Sequence, residues 1–225
     1  MAANEEIDFH ALRIEMVEVI AECARLTASL IGKNQLDERV MRVMAKVPRH
    51  EFVPTALRQL AYLNVPLPIG YTKTISQPFI VALMTDLLEI EPTDQVLEVG
   101  TGLGYQAAIL AELAQRVYTV EIIEELAHEA GRRLRDLEYD NIEVRLGDGY
   151  HGWPEHAPYD KIVVTAAPER VPSMLIGQLK PRGRMVIPAG SENAQKLLLI
   201  AKDDAGRTAA KEILEVRFSP LIVSH

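Results

Sequence analysis

The segment VLEVGTGLGY, at residues 96–105, narrows the folds that are open to this chain. An apolar run that ends in closely spaced glycines and opens a helical segment is typical of a parallel strand, a tight turn and a helix. In open α/β sheets, ligands bind outside the carboxyl ends of the strands, where glycines let the backbone approach them closely. The segment therefore predicts an α/β fold with a ligand site at this loop.

Short apolar runs that alternate with helical segments surround this loop and predict a doubly wound sheet. Seven strands are predicted, at residues 95–99, 116–121, 142–146, 161–165, 184–188, 196–202 and 211–217. Helices are expected between the first five strands, which predicts parallel crossovers. The DDAG segment at residues 203–206 is too short for such a crossover, so the last two strands are predicted to form an antiparallel hairpin.

The first third of the chain predicts a covering for this sheet. Six apolar residues, spaced alternately by four and three, predict one helix face that ends near Gly32: Leu12, Met16, Val19, Cys23, Leu26 and Leu30. Packing of this face on the chain's own core is favoured, because three heptads are short for a coiled coil. Further helices are predicted over residues 37–46 and 78–88. The prolines in VPRHEFVP (47–54) and PLPIG (66–70) predict an extended segment.

We expect one domain, residues 1–225, in which residues 1–76 cover a core formed by residues 77–225. The formal net charge of −8 disfavours a broad nucleic-acid surface. Cys23 is the only cysteine, and the histidines His50, His151 and His156 follow no metal-ligand spacing. The acidic N-terminal sequence lacks the basic and apolar regions of a secretion signal, and no apolar run reaches the length of a membrane span. A cytoplasmic protein without a metal, nucleic-acid or membrane partner is therefore expected.

Three elements at the ends of successive strands predict a cofactor that contains a nucleoside. The glycine pattern reads E-x-G-x-G-x-G, with Tyr105 where a dinucleotide fingerprint has its third glycine. Glu121 ends the next strand, where a carboxylate can accept hydrogen bonds from both hydroxyls of a ribose. Asp148 follows the third strand, between two glycines. Each element alone is consistent with an ordinary turn or a solvated strand end, but their order and spacing together favour a cofactor site.

The glycine loop resembles the first motif of class I methyltransferases, and the segments around it resemble a narrower family. LPIG (67–70), TISQP (74–78), GDGYHGW (147–153) and VRFSPL (216–221) are similar to segments of the protein-L-isoaspartate (D-aspartate) O-methyltransferases. The resemblance runs from about residue 35 to residue 221, and TISQP and VRFSPL are its most specific motifs. It implies a Rossmann-like class I methyltransferase fold with a seven-stranded sheet.

The resemblance also implies an activity. Relatives transfer a methyl group from S-adenosylmethionine, leaving S-adenosylhomocysteine, to the free carboxylate of L-isoaspartyl residues in aged proteins. The ester then closes to a succinimide, which hydrolyses in part to normal aspartate and so begins repair. Activity towards D-aspartyl residues stays open.

Individual positions take on roles through the same resemblance. Ser76 stands at the position of the family's active-site serine, close to the transferred methyl group and the acceptor carboxylate. The positions around the cofactor are Ile75, Gln77, Glu98, Gly100, Thr101, Gly102, Leu103, Gly104, Glu121, Ile122, Asp148, Gly149 and Thr165. The positions that hold the isoaspartyl peptide are Thr74, Ser76, Val216, Arg217 and Phe218.

The chemistry of the reaction agrees with a serine that positions the substrate. A carboxylate with a reference pKa of about 4 is ionised at neutral pH and needs no general base to attack a sulfonium methyl group. Alignment of the reacting atoms and removal of water lower the barrier instead. Ser76 also lacks the G-x-S-x-G elbow of a serine hydrolase, which argues against a covalent nucleophile.

Two positions depart from the family pattern. Asn64 stands where relatives usually have an acid, and Lys73 stands where they commonly have a small residue or glutamine. Lys73 either attracts an anionic substrate or is simply solvated. The N-terminal helix is also longer than in compact bacterial members, so a dimer through this helix is the alternative to the expected monomer.

Three other functions stay open at this point. A different class I methyltransferase, acting on a small molecule or RNA, would use the same loop, but TISQP would then be accidental. An NAD-dependent oxidoreductase is disfavoured by Tyr105. A non-catalytic module that binds cofactor or partners on a retained fold is the third alternative.

Overall fold

Three helices and a β-hairpin form the N-terminal part of the protein in a computed structural model, which describes residues 7–223. The helices are α1 (Phe9–Leu26), α2 (Ala28–Ile31) and α3 (Glu38–Lys46), and the hairpin joins β1 (Leu67–Gly70) to β2 (Lys73–Ile75). Asp8 begins α1 by accepting hydrogen bonds from the backbone N–H groups of His10 and Ala11, both at 3.0 Å. The acidic residues 1–6, which contribute to the prediction that the chain carries no secretion signal, lie outside the described residues.

The buried face of α1 differs from the predicted one. Met16, Ile20 and Ala24, spaced by four, are at most 1% exposed and belong to the core. Among the other predicted face residues, Leu12 and Cys23 pack at its edge, whereas the exposed ones are Val19, Leu26 and Leu30. The predicted face was therefore wrong at three positions, because α1 carries apolar residues on two sides and the core selects only one of them.

Thr27 ends α1 and causes the later part of this mismatch. Its hydroxyl donates to the carbonyl oxygen of Cys23 at 2.7 Å, and the backbone starts a separate turn, α2, one residue further on. The prediction of one continuous helix was wrong here. Gly32, with a φ of 81°, terminates α2 in the left-handed conformation, at the predicted place.

The proline-rich covering is only partly extended. Two 3₁₀ helices, Arg49–Phe52 and Thr55–Leu60, each follow a proline at the capping position, so the prediction of extended structure was wrong for these residues. Residues 67–70 of PLPIG are extended, as predicted, and form β1. Tyr71 and Thr72, both with positive φ, make the turn to β2.

A seven-stranded mixed sheet forms the centre of the protein. Its strands are β3 (Gln95–Val99), β4 (Arg116–Glu121), β5 (Ile142–Leu146), β6 (Tyr159–Val164), β7 (Leu179–Ser191), β8 (Ala194–Lys202) and β9 (Thr208–Val216). Their order is β5-β4-β3-β6-β7-β8-β9, and the first five in sequence are parallel. Both β7–β8 and β8–β9 pair antiparallel, which confirms the predicted terminal hairpin and settles the strand order at this edge.

Helices cover both faces of the sheet. They are α4 (Pro78–Leu88), α5 (Tyr105–Ala111), α6 (Glu124–Asp136) and α7 (Ser173–Gly177). Between β5 and β6 the chain forms two 3₁₀ helices, Gly149–His151 and Pro154–His156, so the helix expected in that crossover was wrong. Side chains of β3 alternate between the two cores: Val96 joins the core under α4 and α5, and Leu97 joins the core that contains Trp153.

The covering and the sheet share the first of these cores, in which Phe52 of the covering and Val96 of the sheet belong to one cluster. Across residues 7–223, no helix is long and apolar enough to span a membrane.

Candidate active site

A cavity of about 450 Å³ opens at the carboxyl ends of β3, β4 and β6. The strand order reverses beside β3, which is the point where open α/β sheets bind their ligands. Three parts of the chain close the cavity: the glycine loop after β3, the segment from the hairpin to α4, and the C-terminal residues 215–222. The loop predicted to bind a ligand therefore lies at the expected place.

Packing against neighbouring side chains requires the glycines of this loop. Gly100 has a φ of 97°, and a Cβ there would clash with the hydroxyl of Thr165, which donates to the Gly100 carbonyl at 2.7 Å. Gly104 has a φ of 95°, and a Cβ there would press on the Leu134 side chain of α6. The loop is thus held tightly between β6 and α6, and it starts α5.

Glu121, at the end of β4, is fixed by two backbone groups. Its Oε2 accepts from the N–H of Gly102 at 2.8 Å, and its Oε1 accepts from the N–H of Ile123 at 3.0 Å. Each carboxylate oxygen can accept a further hydrogen bond. Because Glu121 lines the cavity, an oriented acceptor pair faces the ligand space beside the glycine loop.

Glu98 lies beneath the same loop and is fully buried. Its Oε2 accepts a hydrogen bond from Thr119 at 2.6 Å, and the Thr119 hydroxyl lies 2.6 Å from that of Thr101. Oε1 of Glu98 has no hydrogen-bond partner within residues 7–223. Burial raises the pKa of Glu98 to about 8; the hydrogen bond from Thr119 opposes this rise, and the nearby charge of Glu121 contributes to it. The site thus contains a buried carboxyl group with an acceptor position that the described protein leaves unused.

Gly149 and Asp148 follow β5 at the same end of the sheet. A Cβ on Gly149 would clash with Cγ1 of Val99. Gly149 and Val99 both line the cavity. The Asp148 carboxylate accepts from the N–H of Tyr150 at 2.8 Å and so caps the short 3₁₀ helix that begins at Gly149. Asp148 itself stands beside the lining residues. Glycine at position 149 therefore keeps one wall of the cavity open.

Ser76 stands between β2 and α4 and lines the cavity. No protein group within the described range, residues 7–223, forms a hydrogen bond with its hydroxyl. Its backbone carbonyl accepts from Nη2 of Arg49 at 2.8 Å. Sequence reasoning missed this arginine, because His50 and Glu51 follow it in VPRHEFVP and nothing in the segment singles out Arg49 as buried.

Asn64 supports the residues that follow Ser76. Its Oδ1 accepts from the N–H of Phe79 at 3.0 Å, and its carbonyl accepts from Nε2 of Gln77 at 3.0 Å. Its Nδ2 donates to Sγ of Cys23 at 3.3 Å, which a carboxylate could not do. The departure at position 64 thus coincides with a thiol partner on α1.

The C-terminal wall is held by Gln195 of β8. The side chain of Gln195 accepts from the N–H of Phe218 at 2.6 Å and donates to the carbonyl of Phe218 at 3.1 Å. Ala167, just after β6, pairs with the same segment through Ser219 and Leu221. Sequence reasoning did not identify Gln195, which is 4% exposed and fixes the backbone of the VRFSPL segment.

The family model for protein-L-isoaspartate (D-aspartate) O-methyltransferase (PCMT) matches residues 22–225. The chain belongs to this family. Protein-L-isoaspartate O-methyltransferase 2 of Syntrophobacter fumaroxidans is 59% identical over 218 residues, or 96% of this chain and 88% of that protein. Protein-L-isoaspartate O-methyltransferase 1 of a Polaromonas species is 58% identical over 216 residues, or 96% of this chain and 92% of that protein.

Solved structures of PCMT proteins share the fold. One protein-L-isoaspartate O-methyltransferase matches with a TM-score of 0.79 and 26% identity, over 92% of this chain and 65% of that chain. A Plasmodium falciparum beta-aspartate methyltransferase (PCMT), in complex with S-adenosyl-L-homocysteine, matches with a TM-score of 0.76 and 21% identity, over 93% of this chain and 98% of that chain. The family assignment and these matches confirm the predicted class I methyltransferase fold.

The structure brings many positions of the PCMT pattern to one cavity. Those that line it are Thr74, Ser76, Gln77, Gly100, Gly102, Glu121, Ile122, Gly149, Thr165, Val216, Arg217 and Phe218. Those that lie beside or beneath the lining are Ile75, Glu98, Thr101, Leu103, Gly104 and Asp148. The ligand contacts of both groups stay predictions. In the part of the chain that the structure describes, no cluster of three or more metal-ligating side chains is present.

Proposed function

We propose that this chain methylates the free carboxylate of L-isoaspartyl residues in damaged proteins, with S-adenosylmethionine as the methyl donor. One observation carries the proposal. Ser76 and the 216–218 segment share a single cavity with the glycine loop and Glu121, so a peptide carboxylate and a nucleoside cofactor can meet there. Membership of the PCMT family and 59% identity to a named protein-L-isoaspartate O-methyltransferase support the same function.

The residues present fit this cofactor. Glu121 would accept hydrogen bonds from ribose hydroxyls, since both of its oxygens are oriented by backbone N–H groups and retain acceptor capacity. Gly149 leaves room for a ring because a Cβ would fill its wall of the cavity, and Asp148 lies next to it. Oε1 of Glu98, unpartnered within residues 7–223, would form a neutral hydrogen bond with a polar group of the cofactor at the glycine loop, since the raised pKa keeps this carboxyl group protonated at neutral pH. The other predicted cofactor positions surround these groups.

The protein's part in the transfer is to position and desolvate the acceptor. S-adenosylmethionine supplies, when bound, a methyl group on a positively charged sulfur, which a carboxylate can attack directly. Ser76 would donate its hydroxyl hydrogen to the acceptor carboxylate and orient it, while the backbone of residues 216–218, with Thr74, holds the peptide. Apolar lining residues such as Ile69 and Ile80 exclude water from the carboxylate. No general base is required.

The repair follows from the chemistry of the product. The methoxy group of the ester leaves more readily than the oxygen of the free acid. The neighbouring backbone nitrogen therefore attacks the ester carbonyl carbon and gives up its proton, the bond to the methoxy group breaks, and methanol departs as the succinimide forms. Water then opens the ring, in part to normal aspartate. This step needs no side chain of the enzyme.

A repair assay tests the proposal. An L-isoaspartyl peptide incubated with the protein and S-adenosylmethionine should be converted, over hours, to the matching aspartyl peptide, and chromatography separates the two. Omission of S-adenosylmethionine is the control. An isoaspartyl peptide that persists at full level with a cofactor-binding protein would contradict the proposal.

We also propose that the chain acts as a cytoplasmic monomer and as one domain, with residues 1–76 covering the core of residues 77–225. A core shared between Phe52 and Val96 supports one domain, and a single cysteine is consistent with a reducing compartment. The net charge of −8 supports a peptide substrate over nucleic acid. The alternative is a dimer that buries the exposed Leu26 of α1 and Leu30 of α2. Light scattering measures the mass of the protein in solution and so distinguishes this dimer from the monomer.

A further inference from the structure

Arg49 is a fully buried arginine that contacts three separate parts of the chain. Its Nε donates to the carbonyl of Ala61 in the covering at 2.8 Å, and its Nη2 donates to the carbonyl of Ser76 at 2.8 Å. Its guanidinium carbon lies 4.9 Å from the ring centroid of Tyr105, the first residue of α5 after the glycine loop. One side chain thus contacts Ala61 in the covering, the backbone of Ser76, and the start of α5 directly after the glycine loop.

Burial of a guanidinium group destabilises the folded state, because the charge loses its hydration. Burial lowers the pKa of Arg49 to about 10, so the group is still charged at neutral pH. Nη1 of Arg49 has no hydrogen-bond partner within residues 7–223, and the two carbonyls only partly replace the lost water. An apolar side chain would satisfy a purely structural role at this place more simply, which points to a role for the directed hydrogen bonds.

The Ser76 carbonyl depends on this arginine. The β1–β2 pairing ends at Ile75, and the first capping bond of α4 uses the carbonyl of Gln77. Ser76 lies between these two elements, and no backbone N–H of residues 7–223 shares its carbonyl. Without Arg49, the peptide between Ser76 and Gln77 would lose the bond that fixes its orientation.

We propose that Arg49 is a positioning residue for methyl transfer, which fixes the Ser76 hydroxyl relative to the glycine loop by holding the Ser76 carbonyl. The inference rests on the proposed function, since it assigns the activity of the cavity to Ser76. Arg49 does not line the cavity and acts through Ser76. A shift of about 1 Å in a positioning group can lower a rate about 100-fold, so loss of this bond should affect turnover more than cofactor binding.

A double-mutant cycle between Arg49→Lys and Ser76→Ala tests the inference. Lysine keeps the positive charge but cannot hold two carbonyls in the geometry of a guanidinium. The expected result is a kcat about 10-fold lower or more in Arg49→Lys, with the KM for S-adenosylmethionine within about twofold. In the Ser76→Ala background, the same change should lower kcat by less than about twofold, because its effect passes through Ser76.

The matched control is Leu88→Ala, at the far end of α4. Leu88 is fully buried and does not line the cavity, so its loss lowers stability and should leave kcat unchanged. All rates are expressed per molecule that binds S-adenosylhomocysteine, as counted by calorimetry. Equal kcat losses from Arg49→Lys in both backgrounds, or an unchanged kcat, would overturn the inference.

A second variant covers the case in which Arg49→Lys does not fold. Tyr105→Leu removes the ring beneath the guanidinium and leaves both carbonyl bonds without that support. Its kcat should fall by about threefold or more in the Ser76 protein and stay unchanged with Ala at position 76. An equal effect in both backgrounds would overturn the inference. A wild-type protein that transfers no methyl group to isoaspartyl peptides would overturn the proposed function as well, which distinguishes the two failures.

Discussion

Thr119 donates its hydroxyl hydrogen to Oε2 of Glu98 at 2.6 Å, across the paired strands β4 and β3. The Thr119 hydroxyl in turn lies 2.6 Å from that of Thr101 in the glycine loop, so a short hydrogen-bonded chain connects the loop to a carboxyl group in the core. The same carboxyl group has its other oxygen, Oε1, unpartnered within the described residues 7–223. Glu98 is therefore both a support for the loop and a buried titratable group.

The first prediction concerns the stability of the protein against pH. The pKa of Glu98 is about 8 in the folded protein, raised by burial from 4.5. Below pH 4.5 the group is protonated in both the folded and unfolded states. As the pH rises towards 8, only the unfolded chain ionises, so this group's contribution to stability falls and then levels off above the folded pKa.

Glu98→Gln removes this dependence while keeping the shape of the side chain. The free energy of unfolding of the wild type should fall relative to that of Glu98→Gln by on the order of 3 kcal/mol between about pH 5 and about pH 8. Urea unfolding of both proteins at several pH values measures the difference. Parallel stability profiles across this range would contradict the raised pKa.

Ser76→Ala should lower turnover and leave cofactor binding in place. A hydrogen bond to a charged group contributes about 1.5–3 kcal/mol, so kcat on an isoaspartyl peptide should fall about 10- to 100-fold. The dissociation constant of S-adenosylhomocysteine, measured by calorimetry, should stay within about twofold. Ser173→Ala, at the start of α7 and away from the cavity, is the control. Equal losses of binding and turnover in Ser76→Ala would contradict a positioning role.

Glu121→Ala should act in the opposite way, on cofactor binding itself. It removes the acceptors for the ribose and also the two bonds to the N–H groups of Gly102 and Ile123. The affinity for S-adenosylhomocysteine should fall about 10-fold or more. Glu125→Ala, an exposed acid in the first turn of α6, removes the same charge without these contacts and should bind normally. Unchanged affinity in Glu121→Ala would exclude Glu121 from the cofactor site.

Gly149→Ala should narrow the cavity through a clash with Val99. Overpacking of this kind costs about 1–3 kcal/mol and should weaken cofactor binding, because both residues line the cavity. Val99→Ala removes the methyl group that the new Cβ would meet. The double variant should therefore bind S-adenosylhomocysteine more tightly than Gly149→Ala alone, as calorimetry can show. If the double variant binds no more tightly than Gly149→Ala, the clash with Val99 is not the cause of the weakened binding.

Much of the central sheet could be predicted because its signals are local. Three predicted strands, 95–99, 116–121 and 142–146, match the observed bounds, and the DDAG turn indicated the antiparallel edge correctly. The start of β6 and the full length of β7 were missed, since strand ends depend on pairing with neighbours. The hairpin β1–β2 was missed because Tyr71 and Thr72 are not typical turn residues.

The supports of the site could not be predicted, because they join residues far apart in sequence. Arg49 and Ser76 are 27 positions apart, and Gln195 and Phe218 are 23 positions apart. Their contacts arise only when the covering and the last strands pack around the cavity. The buried face of α1 was misjudged for the same reason: periodicity showed apolar positions, but only tertiary packing chose between its two apolar sides.

Transfer of a labelled methyl group to two matched peptides decides whether the cavity carries the proposed activity. The peptides differ only in one linkage, L-isoaspartyl in the first and normal aspartyl in the second, and both are offered with labelled S-adenosylmethionine. We expect base-labile label on the isoaspartyl peptide alone, because esters of carboxylates hydrolyse in base. Label on neither peptide, or on both equally, from a protein that binds S-adenosylhomocysteine would contradict isoaspartyl methylation and direct the search to other acceptors.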